Sequence, residues 1–481
     1  EHAMKDSTYS IMCAVLLGVG QMCMFMGYDS QSFVMESVLR SIHDDDPERI
    51  DAHAGYNGQA VICLTYTLSN LIAPWILGII GSKMTLVIGS SAFTLFLCSY
   101  FYVHYVPFYL STAILGFGFA LYYTGNGAYL TEHSSRATIE RNSALTWAIG
   151  TCCMIVGGIV MLFTIRPPPK MAVDMLMHEN ETFSETSYRE YSTGEIRMMY
   201  GAFAVVSLLS NIIFALIPSR LVEDSLADTG TMGYPRIGFF EQLRSIFSAL
   251  GQSNMLKLAP VFCLVGTTTC FWIAVYPTTL IFTKSMAGYI YLPAYYSIVL
   301  GSGDMLMGFV ISALSKRIPN FGQFPTQVLG VVLYMTGLTL ALLSTPPWST
   351  NTPNDESAPL LEPSMWLALF ISLLFGLADN CINTSRTILC ALVMPGKTAQ
   401  VFSISKFYQS LIFGIMLFLA SYMSMTMYYI WIGLNSILSL VCYYYVAKST
   451  RHMERKITIA TKAATMDAVL PVPYRKILGT Q

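Results

Sequence analysis

The chain has 481 residues, of which 54% are apolar and 11% are charged, and its formal net charge is −1. Soluble domains carry roughly a quarter charged residues, so this composition indicates a chain embedded in lipid. The nearly balanced charge and the scattered Lys and Arg residues argue against nucleic acid as a partner. All 11 cysteines lie within apolar runs, which predicts neither a disulfide framework nor a zinc site.

Apolar runs long enough to cross a bilayer recur along the chain. A hydrocarbon core of about 30 Å needs about 20 helical residues, and we therefore predict an all-α membrane protein with twelve transmembrane helices. The predicted spans lie near 9–34, 56–80, 84–104, 107–130, 143–165, 198–217, 256–281, 291–314, 324–345, 364–392, 400–424 and 426–447. The fourth and tenth are long and are polar in their second halves, a pattern that is also typical of unwound or gating segments.

Basic residues are divided unevenly between the two sides of such a bundle. The odd-to-even loops hold seven of the 27 Lys and Arg residues, namely Arg40, Arg49, Arg166, Lys170, Arg189, Arg197 and Lys284. The positive-inside rule then predicts that both termini face the cytoplasm. This topology places the sequon Asn180-Glu181-Thr182 outside, so we expect N-glycosylation at Asn180. The plasma membrane or the endosomal system is the expected location.

The spans are expected to form two halves. We predict a six-helix bundle at 1–217, a cytoplasmic linker at 218–254, a second six-helix bundle at 255–447 and a cytoplasmic tail at 448–481. Apolar residues at helical spacing between Phe239 and Leu250 indicate either an interfacial helix that joins the bundles or a lead-in to the seventh span. Short matches link equivalent spans, such as 117–120 with 375–378, and duplicated bundles commonly hold a substrate site between them.

Several segments carry a resemblance to a known family. They are Thr124–Thr131, Arg141–Ser143 with Trp147, Gly376–Thr384, Ser405–Ser410 and, in the first span, Gly27–Ser32. These segments resemble the Unc-ninety-three-like, ion-channel-regulatory family, a divergent branch of the major facilitator superfamily. The resemblance implies two pseudo-symmetric six-helix bundles. It also implies one of three activities: an orphan transporter, an auxiliary subunit of a potassium channel, or a trafficking escort for a membrane receptor.

One departure from the wider superfamily lies after the second span. The facilitator pattern has Gly followed by Asp and basic residues there, and this chain keeps Gly78, Gly81 and Lys83 but lacks the Asp. The fold prediction does not depend on that residue. A gating lock built on the motif is put in doubt.

Charged side chains in mid-membrane are costly and are functional candidates by default. Asp379, Asn383 and Arg386 share one face of the tenth span, and Lys406 and Gln409 are one turn apart in the next. We predict that Asp379 and Lys406 form a switchable ion pair. The alternative is a static salt bridge that only fixes helix packing, whose disruption would cost about 3–5 kcal/mol.

Three further polar residues have a functional and a structural interpretation. Asp304 is surrounded by glycines in the eighth span, so it either binds a solute or ion, or accompanies close helix packing. Asp29 lies near the outer end of the first span, where it is either a site residue or a solvated span end. Asn126 lies between two glycines in the fourth span and either offers its amide to a ligand or accompanies close packing.

The sequence contains no phosphate-binding Gly-Lys-Ser/Thr loop, no His-Glu-x-x-His and no serine elbow, so we predict a protein that is not an enzyme and needs no cofactor or metal. The leading prediction is a major facilitator-type transporter of an unknown small solute or ion that works by alternating access. The alternative is a regulator of an ion channel or a receptor escort. The predicted substrate or coupling-ion residues are Asp29, Gln31, Asn126, Asp304, Asp379, Asn383, Lys406 and Gln409.

Overall fold

Long apolar helices make up most of the computed structural model, which describes residues 6–32, 35–51, 54–164, 193–220, 222, 225–226, 238–286, 289, 291–350, 356–394 and 397–469. Eleven helices in this part of the chain are long and apolar enough to cross a membrane. An isolated β-bridge between Ser135 and Ser225 accompanies them. The all-α membrane fold predicted from the sequence is confirmed.

The helices follow the predicted spans closely. Those of the first half are Asp6–Ser32, Met35–Asp45, Ala54–Ser69, Ala73–Ser99, Tyr105–Glu132, Ile139–Gly150, Cys152–Thr164 and Thr193–Leu216. Those of the second half are Phe239–Leu250, Ser253–Cys270, Phe271–Val275, Tyr276–Phe282, Leu292–Leu314, Phe324–Ser344, Met365–Leu392, Thr398–Leu419 and Met425–Val469.

The helix Ala73–Ser99 belongs to two membrane crossings, because Gly81 breaks it with a φ of 77°. Before the break, the chain runs parallel to the fourth span: Ala73 packs beside Ala120, and further along Leu77 packs beside Ala128. Residues 73–80 therefore continue the helix Ala54–Ser69 across the membrane as the second span.

After Gly81 the chain runs the other way along the fourth span. Thr85 lies against Gly125, whereas Ala92, farther along the chain, lies against Gly118, which precedes Gly125. Residues 82–99 are therefore the third span. Counting both crossings gives twelve, and both described ends of the chain lie on the same side, which we call the terminal face. That this face is cytoplasmic stays a prediction.

Helix breaks fall at places that the sequence did not indicate. The fifth span is interrupted at Thr151, and the seventh widens into a π-helix at Phe271–Val275. The fourth and tenth spans, Tyr105–Glu132 and Met365–Leu392, are unbroken helices of 28 residues each. The interpretation of these two as unwound segments is therefore wrong. Polar side chains of these spans form hydrogen bonds within the intact helices, as Asn126 does with Tyr122 and Thr384 with Asn380.

The predicted linker and tail are partly helical. Phe239–Leu250 is a separate helix that ends at Gly251 and leaves Phe240 exposed, and its position at the membrane surface stays a prediction. The twelfth helix continues to Val469, well past the predicted end at 447, because nothing between these positions breaks it. Asn180 lies outside the described residues.

The two bundles are joined by polar contacts at the terminal face. Arg136 of the first bundle lies 2.6 Å from Glu454 Oε1 of the twelfth helix and donates to Asn320 Oδ1 at 3.0 Å. Glu140 accepts a hydrogen bond from the backbone N–H of Gly322 at 3.2 Å. We call this set of contacts the terminal latch. It connects the fifth span to the second bundle.

Candidate functional site

A cavity of about 160 Å³ lies between the two bundles. Eight spans line it: the first, second, fourth and fifth of one bundle, and the seventh, eighth, tenth and eleventh of the other. Its wall carries three carboxylates, Asp29, Asp304 and Asp379, and none of the described residues that line it is Lys, Arg or His. An acidic cavity at the interface of two bundles is a typical position for a transporter site.

Asp379 is held by two donors from different directions. The indole N–H of Trp272 in the seventh span donates to Asp379 Oδ1 at 3.1 Å, and Asn383, one turn along the tenth span, donates to Oδ2 at 3.0 Å. The carboxylate is 4% exposed. The two hydrogen bonds fix its orientation toward the cavity.

Trp272 reaches Asp379 because the seventh span is locally widened. Pro277 lies five residues after Trp272 and has no amide hydrogen to donate to the preceding turn. The chain forms the π-helix Phe271–Val275 just before it, a distortion that often accompanies functional sites. Tyr296 of the eighth span donates to the carbonyl of Trp272 at 2.7 Å and stabilises this arrangement.

Asp304 is the most deeply buried of the three carboxylates. It is 2% exposed, and its Oδ1 has no hydrogen-bond partner among the described residues. The glycines around it do allow close packing: a Cβ on Gly376 would lie 2.0 Å from the Leu300 carbonyl, and one on Gly303 would lie 2.7 Å from the Leu373 carbonyl. The close packing of the eighth and tenth spans therefore places Asp304 in the cavity wall, where its Oδ1 lies without a hydrogen-bond partner of regular geometry.

Asp29 also lies in the cavity wall, beside the fifth span. Cys153 directs its Sγ to Asp29 Oδ2 at 3.3 Å, and the side chain is partly buried. The interpretation of Asp29 as a solvated span end is therefore wrong. The first span is long enough to continue past it to Ser32.

The two buried cations lie in a smaller cavity of about 20 Å³ that shares Gln21, Tyr123 and Trp147 with the larger one. Lys406 donates to Gln409 Oε1 at 2.8 Å, and its Nζ lies 3.5 Å from the centre of the Tyr123 ring. This is a cation–π contact at short range.

Arg386, the second buried cation, donates to Ser405 and Asn383, each at 3.3 Å. Ion pairs within 4 Å between described residues do not include Asp379 with Lys406. The predicted ion pair is therefore wrong for this conformation, because both cations use neutral partners and Asp379 is held by Trp272 and Asn383.

Aromatic rings of the first bundle form a continuous wall opposite Asp304 and Asp379. Ring centres lie 5.4 Å apart for Tyr66 and Phe119, 6.2 Å apart for Tyr66 and Tyr123, and 4.9 Å apart for Tyr28 and Phe119. The hydroxyl of Tyr66 is buried and has no partner among the described residues. We call Tyr28, Tyr66, Phe119 and Tyr123 the aromatic wall.

The structure distributes the eight predicted site residues over three places. The larger cavity is lined by Asp29, Asp304, Asp379, Asn383 and Gln409, and the smaller one by Asn126 and Lys406. Gln31 lines neither cavity: it is buried and accepts a hydrogen bond from Tyr200 of the sixth span at 3.3 Å.

Asn126 donates to the Tyr122 hydroxyl at 2.8 Å, so its amide is already engaged. The larger cavity also contains residues that the sequence reasoning missed, among them Trp272, Gln21, Gln59 and Tyr66. Only Trp272 carried a signal, as a polar-tipped aromatic residue shortly before a proline within an apolar span. The described residues contain no group of three or more His, Cys, Asp or Glu placed to hold a metal ion.

Comparison with known proteins agrees with this geometry. The profile of the family described as "Ion channel regulatory protein UNC-93" matches residues 46–444, most of the chain. The chain belongs to the UNC-93 family. One relative in it is the UNC93-like protein MFSD11 of Xenopus laevis, 25% identical over 442 residues, which cover 87% of this chain and 92% of the relative. Another is the UNC93-like protein 3 of Arabidopsis thaliana, 22% identical over 76% of this chain and 73% of the relative.

Solved structures place this UNC-93 family member in the major facilitator fold. FucP, a major facilitator superfamily transporter in the outward conformation, superimposes with a TM-score of 0.61 at 12% identity, over 91% of this chain and 99% of FucP. The proton:xylose symporter XylE gives a TM-score of 0.61 at 12% identity, over 92% and 96%. The predicted two-bundle fold and the family resemblance are both confirmed.

Proposed function

We propose that this chain is an alternating-access transporter of a small solute and that the larger cavity is its binding site. The observation that carries the proposal is the set of three carboxylates that line a cavity between the two bundles of a transporter fold. Buried charges are costly in a membrane, and a chain that served only as a scaffold could replace them with apolar residues at no loss.

The closure of the terminal face supports alternating access. The terminal latch joins the bundles at that face, and the ring of Phe402 packs so closely on Gly127 that a Cβ there would lie 2.6 Å from it. The smaller cavity, which Phe402 also lines, lies between this contact and the larger cavity. The described contacts thus close the path to the terminal face, as expected for one state of an alternating cycle.

The charge balance favours coupling to a cation. Across the two cavities, three carboxylates face two cations, Arg386 and Lys406, so that one negative charge is uncompensated when all five groups are ionised. The neighbours FucP and XylE are described as a fucose:proton and a proton:xylose symporter. A bound proton or another monovalent cation would neutralise the excess charge here.

Channel regulation is the second candidate, since the family description itself names it. A regulator that kept the facilitator body would need neither two-sided access to the cavity nor a bound solute. It would require a stable complex with a channel subunit instead. Accessibility of the cavity from both faces therefore discriminates between the two functions.

Native Cys63 is suited to this test because it lines the larger cavity. The full-length protein is labelled with a membrane-impermeant maleimide in sealed vesicles of either orientation, and modified peptides are identified by mass spectrometry. We expect Cys63 to react from both faces, and Cys381, which is buried outside the cavity lining, to react from neither. Labelling of Cys63 from one face only would contradict alternating access.

Asp379→Asn and Asp51→Asn provide a matched pair of variants. Asp51 is exposed and accepts a hydrogen bond from Tyr109 at 2.9 Å, which Asn can also accept. We expect Asp379→Asn to change the ratio of Cys63 labelling between the faces at least threefold, a shift of at least about 0.6 kcal/mol in the conformational equilibrium. Asp51→Asn should leave the ratio unchanged.

A further inference from the structure

We propose that the solute is a small organic cation with one positive charge, bound between Asp304 and Asp379 on one side and the aromatic wall on the other. This inference rests on the proposed function, because it names the class of solute for the same cavity. Four observations support it: the charge of the cavity lining, the Oδ1 acceptor of Asp304, the arrangement of the aromatic rings and the volume of the cavity.

The charge of the lining selects for a cation. Asp29, Asp304 and Asp379 all line the larger cavity, whereas both cations lie in the smaller one and donate to neutral groups. An anionic solute would meet three carboxylates at close range, and like-charge juxtaposition costs several kcal/mol. A solute with one positive charge compensates the single excess negative charge.

Asp304 provides an acceptor, Oδ1, for which the described chain forms no hydrogen bond of regular geometry. This oxygen is buried, and the side chains of Asn380, Trp147 and Thr151 lie close enough to the carboxyl group to act as weak donors. Leaving a buried charged acceptor unsatisfied is unfavourable. An ammonium group in the larger cavity would satisfy it through an N–H donor or, if fully methylated, through its charge.

The aromatic wall provides the other half of a cation site. Ring faces attract ammonium groups, and quaternary ammonium ligands are commonly bound by several aromatic rings together. The chain already makes this contact at the edge of the cavity, since Lys406 Nζ lies 3.5 Å from the centre of the Tyr123 ring. Tyr66 and Phe119 continue the same wall from Tyr123, and all three line the larger cavity, whose described lining contains no cation.

The size of the cavity limits the solute to a small molecule. Its volume of about 160 Å³ is below the roughly 300–1,000 Å³ of pockets for drug-sized ligands. Trp272 and Phe25 add to an apolar lining around the carboxylates. This combination matches a compact ammonium ion with a short apolar or hydroxylated substituent.

The probes are tetramethylammonium, choline and 3,3-dimethyl-1-butanol, the last being the neutral counterpart of choline with carbon in place of nitrogen. Binding to the purified full-length protein in detergent is measured by calorimetry, and all three probes are compared on the wild type, so that no variant needs to fold. We expect both cations to bind and choline to bind at least tenfold more tightly than its neutral counterpart. Failure of both cations to bind, or equal binding of the neutral alcohol, would overturn the proposal.

Two pairs of variants locate the binding. Asp304→Asn should weaken choline binding at least tenfold, whereas Asp51→Asn should not. Tyr66→Leu removes a ring of the aromatic wall and should weaken binding about two- to thirtyfold. Tyr66→Phe keeps the ring and loses only the unpartnered hydroxyl, so its loss of binding should be smaller than that of Tyr66→Leu. Equal loss in both Tyr66 variants would show that the ring face is not used.

The binding experiment tests the class of solute and the labelling experiment tests transport, so that either proposal can be rejected while the other is retained. Choline binding that depends on Asp304, with Cys63 labelled from one face only, would retain the cation site and reject transport. Cys63 labelling from both faces, with no binding of either cation, would retain transport and reject this class of solute.

Discussion

Trp272 donates its indole N–H to Asp379 Oδ1 at 3.1 Å, and this hydrogen bond joins the π-helical part of the seventh span to the centre of the tenth. Since the carboxylate is buried, the donor replaces part of its lost hydration. The same contact holds a ring at the cavity wall. The position of the seventh span and the orientation of Asp379 therefore depend on each other.

Trp272→Phe should reduce stability because Asp379 then keeps only Asn383 as a donor at its carboxylate oxygens. Removing one partner of a buried charged group costs roughly 1–3 kcal/mol, which should appear as a lower melting temperature in detergent. Trp366→Phe is the control, because Trp366 is 76% exposed at the start of the same tenth span. Equal melting temperatures for the two variants would mean that the hydrogen bond does not stabilise the fold.

Gly376→Ala should strongly destabilise the second bundle. A Cβ at this position would lie 2.0 Å from the Leu300 carbonyl, so the eighth and tenth spans would have to separate, at a cost of about 1–3 kcal/mol or more. Gly414→Ala is the matched change, because its new Cβ would meet Cys63 at an ordinary 3.6 Å and Ala favours helix over Gly by about 1 kcal/mol. The melting temperature should be highest for Gly414→Ala, intermediate for the wild type and lowest for Gly376→Ala. A Gly376→Ala protein that melts at or above the wild-type temperature would contradict the close packing of the eighth and tenth spans.

Arg136→Gln should weaken the terminal latch and favour opening of the terminal face. The variant loses the contacts of Arg136 with Glu454 and Asn320, and partly exposed ion pairs of this kind are worth up to about 1 kcal/mol. Cys63 should therefore react about two- to fivefold more with an impermeant maleimide added at the terminal face. The control is Arg317→Gln, which removes an exposed charge from the same face and should leave the labelling of Cys63 unchanged. An equal increase in Cys63 labelling in both variants would mean that the loss of charge, and not the loss of the latch contacts, causes the effect.

His133 should make the protein less stable in mild acid. It is buried just after the fourth span, where its Nδ1–H donates to the Tyr129 carbonyl at 2.9 Å, and desolvation lowers the pKa of its ring from 6.5. The folded chain therefore binds fewer protons than the unfolded chain below about pH 6.5, so that the free energy of unfolding falls as the pH falls, by at most about 1.4 kcal/mol per pH unit.

The check is the difference in melting temperature between pH 7.5 and pH 5.5. This difference should be smaller for His133→Gln than for the wild type, because Gln does not titrate. His452→Gln, a change at an exposed position of the twelfth helix, should behave as the wild type. An unchanged pH dependence in His133→Gln would show that other groups account for the acid sensitivity.

Spacing along a single helix predicted part of the candidate site. Asp379 and Asn383 were expected on one face of the tenth span, and they are hydrogen-bonded at 3.0 Å. The expected partner of Asp379, Lys406, was wrong, since the choice between Lys406 and Trp272 depends on how the seventh and eleventh spans are rotated about their axes. The spacing of residues along one helix does not specify that rotation. The π-helix that turns Trp272 inward also changes the direction of this side chain around the helix axis, which regular α-helical spacing does not predict.

The sequence by itself determined the number, length and order of the spans, because lipid requires about 20 apolar residues in every crossing segment and this requirement is local. It also indicated which charged residues are costly to place in a membrane. Only the tertiary structure decided which of them meet: Asp304 reaches the cavity through the glycine contacts between the eighth and tenth spans, whereas Gln31 turns away to Tyr200. The physical reason is that helix rotation and crossing angle are set jointly by the packing of several spans, which no segment specifies alone.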